Sequence, residues 1–251
     1  MSRLGYPRYY ISSIPSTMDV ISHLEADGEP EGTIVVAGEQ TAGRGRAGRS
    51  WSAPSGSSLL CSILLRPTVA AAELPPLPLI AGLAIAEGID ALTDGQFTSA
   101  IRLKWPNDIF LDGQKLAGVL MHSRVTTTRL AFVNLGVGIN VNVASKDLSP
   151  GATSLAAYTG REWPLTDVEE SVLAYLTWRY DEFIREGCEP GLAAWEARSL
   201  YRGEVVRVER DRETLEGVFV GIGMNGALLL ETANRTVQIV AGDLVRGPRP
   251  R

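Results

Sequence analysis

From Gly43 to Trp51 the chain reads Gly-Arg-Gly-Arg-Ala-Gly-Arg-Ser-Trp, three arginines among three glycines with no acid between them. Guanidinium groups present forks of donors to carboxylates and phosphates, and glycine lets backbone N–H groups come close to an anion. The chemistry this suits is neutralising a carboxylate that meets a triphosphate, with Trp51 covering the closed loop; the plainer reading is a solvated Arg-Gly loop. A second group is Lys104-Trp105-Pro106-Asn107-Asp108, followed by Lys115-Leu116-Ala117-Gly118. Pro106 presets φ, and Asn107 and Asp108 suit a turn by bonding nearby backbone, so two strands joined by a tight turn with solvated lysines would explain it. Lys115, ahead of the small Ala117-Gly118 pair, also marks a place where a ligand can approach the backbone. Ser16-Thr17-Met18-Asp19 has the form of a helix cap, and hydroxyls at a helix start also suit polar ligand atoms. Gly136-Val137-Gly138-Ile139-Asn140 ends a strand with two residues lacking side chains, as a bulge or close packing requires.

Other chemistries lack their residues. Gly43, Gly45 and Gly48, and again Gly221, Gly223 and Gly226, have the spacing of a dinucleotide fingerprint. That motif needs a helix beginning inside the glycines. Ser50 to Ser58 cannot form one, and Gly226 opens a strand, so the second match reads as a hairpin turn. No Walker loop or nucleophile elbow is present. His23 and His122 are isolated, no metal-ligand cluster is evident, and Cys61 lies in an apolar strand pattern without a neighbouring base.

The elements that must hold these groups follow from periodicity. A strand over Tyr9–Ser12 leads into a helix carrying Met18, Ile21 and Leu24, then a strand over Thr33–Gly38. The polar loop of the arginines follows, extending to Ser58. Leu59–Leu65 is an apolar strand, and a Pro-rich run opens a helix with Ala81, Ala84, Ile85 and Ile89 on one face. Ile101–Trp105, Ile109–Leu111, Lys115–Ser123 and Leu130–Val137 form an antiparallel meander. A long amphipathic helix over Asp167–Arg185 and a shorter one over Leu192–Arg198 come next. From Gly203 only short strands remain, Glu204–Val208, Gly217–Gly221, Ala227–Glu231 and Val237–Val240, separated by Asp211-Arg212, Asn225-Gly226 and Asn234-Arg235. They suggest a small β-barrel module, with a domain boundary near Tyr201.

With 251 residues, 45% hydrophobic and 21% charged, the chain can bury a core without staples, and two distant cysteines make no disulfide framework. We expect reduced thiols and a cytoplasmic protein, with neither signal peptide nor membrane span. A net charge of −5 argues against a general nucleic-acid binder, so an anion site must be a local exception.

Gly43 to Trp51, Lys104 to Asp108, Lys115 to Gly118 and Gly138-Ile139-Asn140, in this order, resemble the motifs of the biotin protein ligases. The resemblance covers nearly the whole chain and includes Gly226-Ala227-Leu228-Leu229-Leu230-Glu231 and Gly242-Asp243-Leu244-Val245-Arg246, which are similar to that family's SH3-like domain. It implies an α+β fold: a catalytic domain like that of class II aminoacyl-tRNA synthetases over residues 1–201, a mixed sheet flanked by helices, and a C-terminal SH3-like β-barrel over 202–251. It also implies a reaction. Biotin and ATP give biotinyl-5′-AMP and pyrophosphate, and a lysine of the biotin carboxyl carrier protein of acetyl-CoA carboxylase then takes the acyl group, with Mg²⁺ on the phosphates.

Carried over residue by residue, the resemblance places Ser16, Thr17, Met18, Gln40, Gly43, Arg44, Gly45 and Gly118 around biotin. Arg46 and Lys115 would be the catalytic pair at the carboxylate and α-phosphate. Arg44, Arg46, Arg49, Trp51, Lys104, Asn107, Asp108, Lys115, Gly138 and Asn140 would serve ATP and the adenylate, with Asp108 near Mg²⁺. Met18 stands where family members often have Asn, and His122 where many have an acid. Bifunctional members carry an N-terminal winged helix; here Ser16-Thr17 lies almost at the start, so a ligase that binds no DNA is expected, and family likeness suggests a homodimer. The alternatives are a lipoate or octanoate ligase of the same fold, and a single-stranded RNA-binding module built on the arginine loop.

Overall fold

A computed structural model describes residues 4–125, 130–210 and 213–247. The turn expected at Asp211-Arg212 lies outside the described residues, as do the first three residues. Twelve strands and five α-helices are present among those described: β1 (Arg8–Ile14), α1 (Thr17–Ala26), β2 (Ile34–Gln40), β3 (Ser58–Leu65), α2 (Leu77–Leu92), β4 (Ile101–Lys104), β5 (Asp108–Leu111), β6 (Gln114–Val125), β7 (Leu130–Asn140), α3 (Leu155–Thr159), α4 (Leu165–Glu186), α5 (Glu189–Ala197), β8 (Val205–Arg210), β9 (Glu213–Ile222), β10 (Leu228–Glu231), β11 (Thr236–Ile239) and β12 (Asp243–Arg246).

The first seven strands form one mixed sheet in the order β1-β2-β3-β7-β6-β5-β4. β1 and β2 pair parallel, because α1 carries the chain back across the sheet between them. The other pairs are antiparallel, and β4 to β7 form the meander read from the sequence. β3 reads Ser-Leu-Leu-Cys-Ser-Ile-Leu-Leu without alternation and is buried at every position, since helices cover both its faces. On one face lie α2 and α4. Gly88 of α2 lets the two helices cross closely, as a Cβ there would be 3.0 Å from Val172 Cα. Arg179 of α4 ties them with a bidentate pair to Glu87 of α2 and is braced by Glu182 of its own helix. On the other face α1 covers only part of the sheet, with Ile21 packed on Val35, Leu64 and Phe132. The face of β5, β6 and the upper part of β7 is left open beside it.

α4 is longer than the Asp167–Arg185 reading by a few residues, and α5 begins earlier, at Glu189, with Pro190 in its first turn. The C-terminal strands form an antiparallel five-stranded sheet, ordered β11-β10-β9-β8-β12. β11 and β12 share no ladder among the described residues, so strand pairing closes no ring where a barrel is expected. β12 is a strand that the periodicity does not predict; it pairs along its length with β8. The Gly223–Gly226 segment is the hairpin turn expected, with Gly226 at φ +75°, and it docks on the larger sheet. Gly226 O accepts from Trp105 Nε1 at 3.0 Å, and a Cβ on Gly226 would meet Pro75 O at 3.1 Å. Glu196 of α5 also accepts from the Ile222 N–H. No helix of the described residues is long and apolar enough to cross a membrane.

Candidate active site

Directly opposed residues on neighbouring strands share a face, and register therefore builds the site. Lys104 faces Asp108, Asp108 faces Gly118, Gly118 faces Gly138, Gly138 faces Leu60 and Leu60 faces Ala37. This row crosses six strands on the side that α1 leaves open. Charged groups stand at one end, apolar groups at the other, and two residues without side chains lie between. A second row, Val35, Ser62, Gly136 and Leu120, runs beside it under the start of α1. Gly118 and Gly138, with Gly136 beside them on the second row, make a flat floor of backbone, and above it is a pocket of about 130 Å³.

The indole of Trp51 lies directly on this floor. A Cβ on Gly138 would be 2.7 Å from Trp51 Cε2, and one on Gly118 would be 3.3 Å from Cζ3. The sequence reading has Trp51 cover a closed loop; here the ring occupies the glycine row itself. Its Nε1 is buried with no partner among the described residues. Gly43 makes this placement possible at the base of the loop, since a side chain there would strike Trp51 O at 2.3 Å. Its carbonyl accepts from the Trp51 N–H at 2.9 Å, so Gly43 shapes the loop without lining the pocket. Gly45, which does line it, closes the turn by donating to Arg49 O at 2.7 Å.

The polar end stands at the start of α1. Ser16 is the N-cap residue, but its side chain makes no capping bond; it is buried and lines the pocket, so the capping role the motif suggests is not the one its hydroxyl plays. The Thr17 N–H donates to Gln40 Oε1 at 2.8 Å, and Thr17 Oγ1 lies 3.0 Å from the same oxygen. Met18 is buried, with its sulfur 3.2 Å from where a Cβ on Gly136 would stand. Its carbonyl accepts from Asn134 Nδ2 at 2.8 Å. All four sequence-predicted residues, Ser16, Thr17, Met18 and Gln40, border the pocket.

At the charged end Lys115 Nζ is 2.7 Å from Asp108 Oδ1 and 5.6 Å from the Trp51 ring centroid. The Lys115 backbone is held on both sides, its N–H donating to Gly151 O at 2.8 Å and its carbonyl accepting from Thr153 N at 2.9 Å. Asn140 does not reach the pocket; its Nδ2 donates to Thr153 O at 3.0 Å and so steadies the segment that anchors Lys115. Asn107 borders the pocket, with Nδ2 on Val119 O at 2.6 Å and Oδ1 at 3.5 Å from Arg46 Nη1. Lys104 is set apart, its Nζ lying over the Phe110 ring at 5.3 Å. Burial lowers its pKa, partly offset by Asp108.

The arginines are less free than their spacing implies. Arg44 pairs with Asp19 of α1, and Arg49 Nη2 is 2.8 Å from Asp243 Oδ1 at the start of β12. Arg46 lies 4.0 Å from the same Asp243 oxygen and is the most enclosed of the three. Burial lowers its pKa, opposed by Asp243 and Asp108. No acid interrupts the loop in sequence, yet two distant acids meet it in space, and nothing local could have marked Asp243. Ser62 and Leu120 carry no motif of their own in the sequence; each stands opposite Gly136 on the second row. Cys61 packs in the main core, where burial pushes its thiol up, so it is held protonated. His122 is exposed on β6, at the rim of a groove shared with the arginine loop.

Residues 10–140 match the biotin/lipoate A/B protein ligase family, and residues 202–247 match the biotin protein ligase C-terminal domain. The chain is 35% identical over 248 residues to the bifunctional ligase/repressor BirA of Bacillus spizizenii, covering 97% of this chain and 75% of that one. It is 34% identical over 234 residues to the biotin–[acetyl-CoA-carboxylase] ligase of Mycobacterium tuberculosis, covering 90% and 84%. The biotin protein ligase from Aquifex aeolicus solved in complex with biotin and ATP superposes with a TM-score of 0.81 at 29% identity, over 96% of this chain and 100% of the other. The glycine-floored pocket and both matched segments thus lead to one assignment: the chain belongs to the biotin/lipoate A/B protein ligase family.

Proposed function

We propose that this protein is an ATP-dependent ligase that activates biotin as biotinyl-5′-AMP and transfers the biotinyl group to a lysine of a biotin carboxyl carrier protein, that of acetyl-CoA carboxylase. The observation that carries the reading is the order of groups along one pocket. Hydroxyls and an amide at one end suit a ureido ring, bare backbone in the middle suits a flat apolar body, and Lys115 with Arg46 at the other end suits a carboxylate beside a phosphate. The division of labour is residues 1–201 for catalysis and 202–251 for the C-terminal module.

The chemistry needs no protein nucleophile. A biotin carboxylate oxygen attacks the α-phosphorus, the bond to the bridging oxygen breaks, and pyrophosphate leaves. The lysine amine of the carrier then attacks the acyl carbon, AMP departs with the electron pair, and the amine gives up its proton to form the amide. Lys115 and Arg46 hold the two anions together and neutralise the charge that builds between them, which is the large contribution a preorganised site can make. Trp51, lifted from the glycines by the ligand, closes over the mixed anhydride and keeps water from it. Asn107 steadies Arg46, and Asn140 steadies Lys115 through Thr153. Lys104 supplies positive potential from the end of the row.

Mg²⁺ fits this site in a limited way. Asp108 is the carboxylate that lines the pocket, and no group of three potential metal ligands exists among the described residues. Mg²⁺ is commonly held by one or two carboxylates plus substrate phosphates, so Asp108 would hold it with the triphosphate. The ion would add charge neutralisation there.

The test is exchange of labelled pyrophosphate into ATP with biotin, lipoate and octanoate run in parallel. Exchange with biotin alone supports the reading. Exchange with lipoate or octanoate moves the assignment within the family, and no exchange with any acid overturns it.

A further inference from the structure

The inner end of the pocket contains a chain of hydrogen bonds whose direction is fixed by one group. A backbone N–H only donates, and that of Thr17 lies 2.8 Å from Gln40 Oε1. The Gln40 amide therefore turns its oxygen to Thr17. Thr17 Oγ1, 3.0 Å from the same oxygen, must give its single proton to it. Ser62 Oγ stands 2.7 Å from Thr17 Oγ1, a hydroxyl whose proton is already committed, so Ser62 is the donor there. The run is one-way, from Ser62 to Thr17 to Gln40.

This direction determines what remains for a ligand. Thr17 Oγ1 has spent its proton and one lone pair and keeps one lone pair, so it meets the substrate as an acceptor. Gln40 Oε1 is filled by two donors from Thr17, while Nε2 has no hydrogen-bond partner among the described residues and meets the substrate as a donor. Ser62 itself is fully buried on β3 and is not part of the pocket wall. We infer that Ser62 is a positioning residue for adenylation: without touching substrate, its hydroxyl takes one lone pair of Thr17 Oγ1 and so aims the remaining one beside the Gln40 donor, a pattern complementary to the N–H and carbonyl of a cyclic urea. The inference rests on the biotin reading above and adds a residue that sets its specificity.

Removing the Ser62 donor frees the Thr17 lone pair it fixed and weakens one ligand hydrogen bond, a loss of about five- to ten-fold in affinity. Ser62→Ala should raise the KM for biotin by about that factor in pyrophosphate exchange, leave the KM for ATP in place, and relax discrimination against biotin analogues with a substituted ring nitrogen. Ser62→Cys, with a weak donor, should fall between. In a Thr17→Val background, Ser62→Ala should add less than about two-fold, because the group it acts through is gone. A purely structural role predicts the opposite: equal losses in both backgrounds, spread over kcat and both KM values. That result, or an unchanged biotin KM in an enzyme that exchanges with biotin, overturns the inference alone. No exchange with biotin by the parent protein overturns the biotin reading and this inference with it. If Ser62→Ala does not fold, the graded KM of Ser62→Cys and its loss in the Thr17→Val background decide the matter.

Discussion

Gly138→Ala places one methyl group where the Trp51 indole rests. The backbone of Gly138 is not among those with positive φ, so alanine suits it and would by itself stabilise by about 0.4–1 kcal/mol through the unfolded chain. The new carbon, however, would stand 2.7, 3.0 and 3.1 Å from three atoms of the indole. Carbon atoms in contact sit at about 3.5–4.0 Å, so the ring must rise by roughly 1 Å. Overpacking of this kind costs about 1–3 kcal/mol, and a ring on a loop that can yield belongs at the low end. The net loss is then about 1 kcal/mol or less, a fall in Tm of about 2–4 °C at most for a chain of this size. Activity should suffer far more, since the ligand that lifts the indole takes the same floor and meets the same methyl group, and a misplacement of about 1 Å in a catalytic site costs on the order of a hundred-fold. Biotin-dependent pyrophosphate exchange and a thermal scan measure both. Gly118→Ala is the control: its methyl would lie 3.3 Å from Trp51 Cζ3 and 3.4 Å from Asp108 Oδ1, contacts that small shifts relieve, so it should lose less than about ten-fold. Trp51→Ala should abolish the Tm cost of Gly138→Ala. A Gly138→Ala protein with parental activity and Tm, or a Gly118→Ala protein that is the worse of the two, would refute the reasoning.

Lys115→Ala should reduce pyrophosphate exchange by about a hundred- to a thousand-fold, the scale of losing one preorganised charge at a reacting centre; near-normal exchange would remove Lys115 from the site. Asp243→Asn should move Tm by no more than about 2 °C, because the Arg49–Asp243 pair is solvent-exposed and worth under about 1 kcal/mol. It should change the KM for ATP by less than about five-fold, and a loss of catalysis beyond that would place Asp243 in the chemistry. Arg179→Ala leaves Glu87 and Glu182 unpaired between α2 and α4, which costs about 3–5 kcal/mol and lowers Tm by about 6 °C or more. The variant's folded fraction at 25 °C should keep its exchange activity, so loss of kcat at that temperature would be unexpected.

What could be read in advance was local. The meander β4–β7 follows from alternation and turn residues, and the anion loop from its arginines and glycines, because each signal lies within a few residues. What could not be read depends on chain segments meeting from afar. The parallel pairing of β1 with β2 leaves no mark in either strand. Asp19 and Asp243 take up Arg44 and Arg49 across 25 and 194 positions. β12 is four residues long and is defined by its ladder to β8 more than by its own composition. Ser16 looks like a cap because capping needs only a hydroxyl at a helix start, whereas its burial in a pocket depends on a sheet placed beneath it. The resemblance puts Asn140 by the adenylate; in the fold its amide donates to Thr153 O, in a loop that carries no signal of contact with β7.

The resting place of Trp51 has a calorimetric consequence. Apolar surface withdrawn from water on binding gives a negative heat-capacity change, and the glycine floor is already withdrawn, beneath the indole. A ligand that takes this floor exchanges one cover for another instead of drying a bare surface. Its heat-capacity change should therefore be smaller in magnitude than its own apolar area implies, and Trp51→Ala, which leaves the floor wet, should enlarge it.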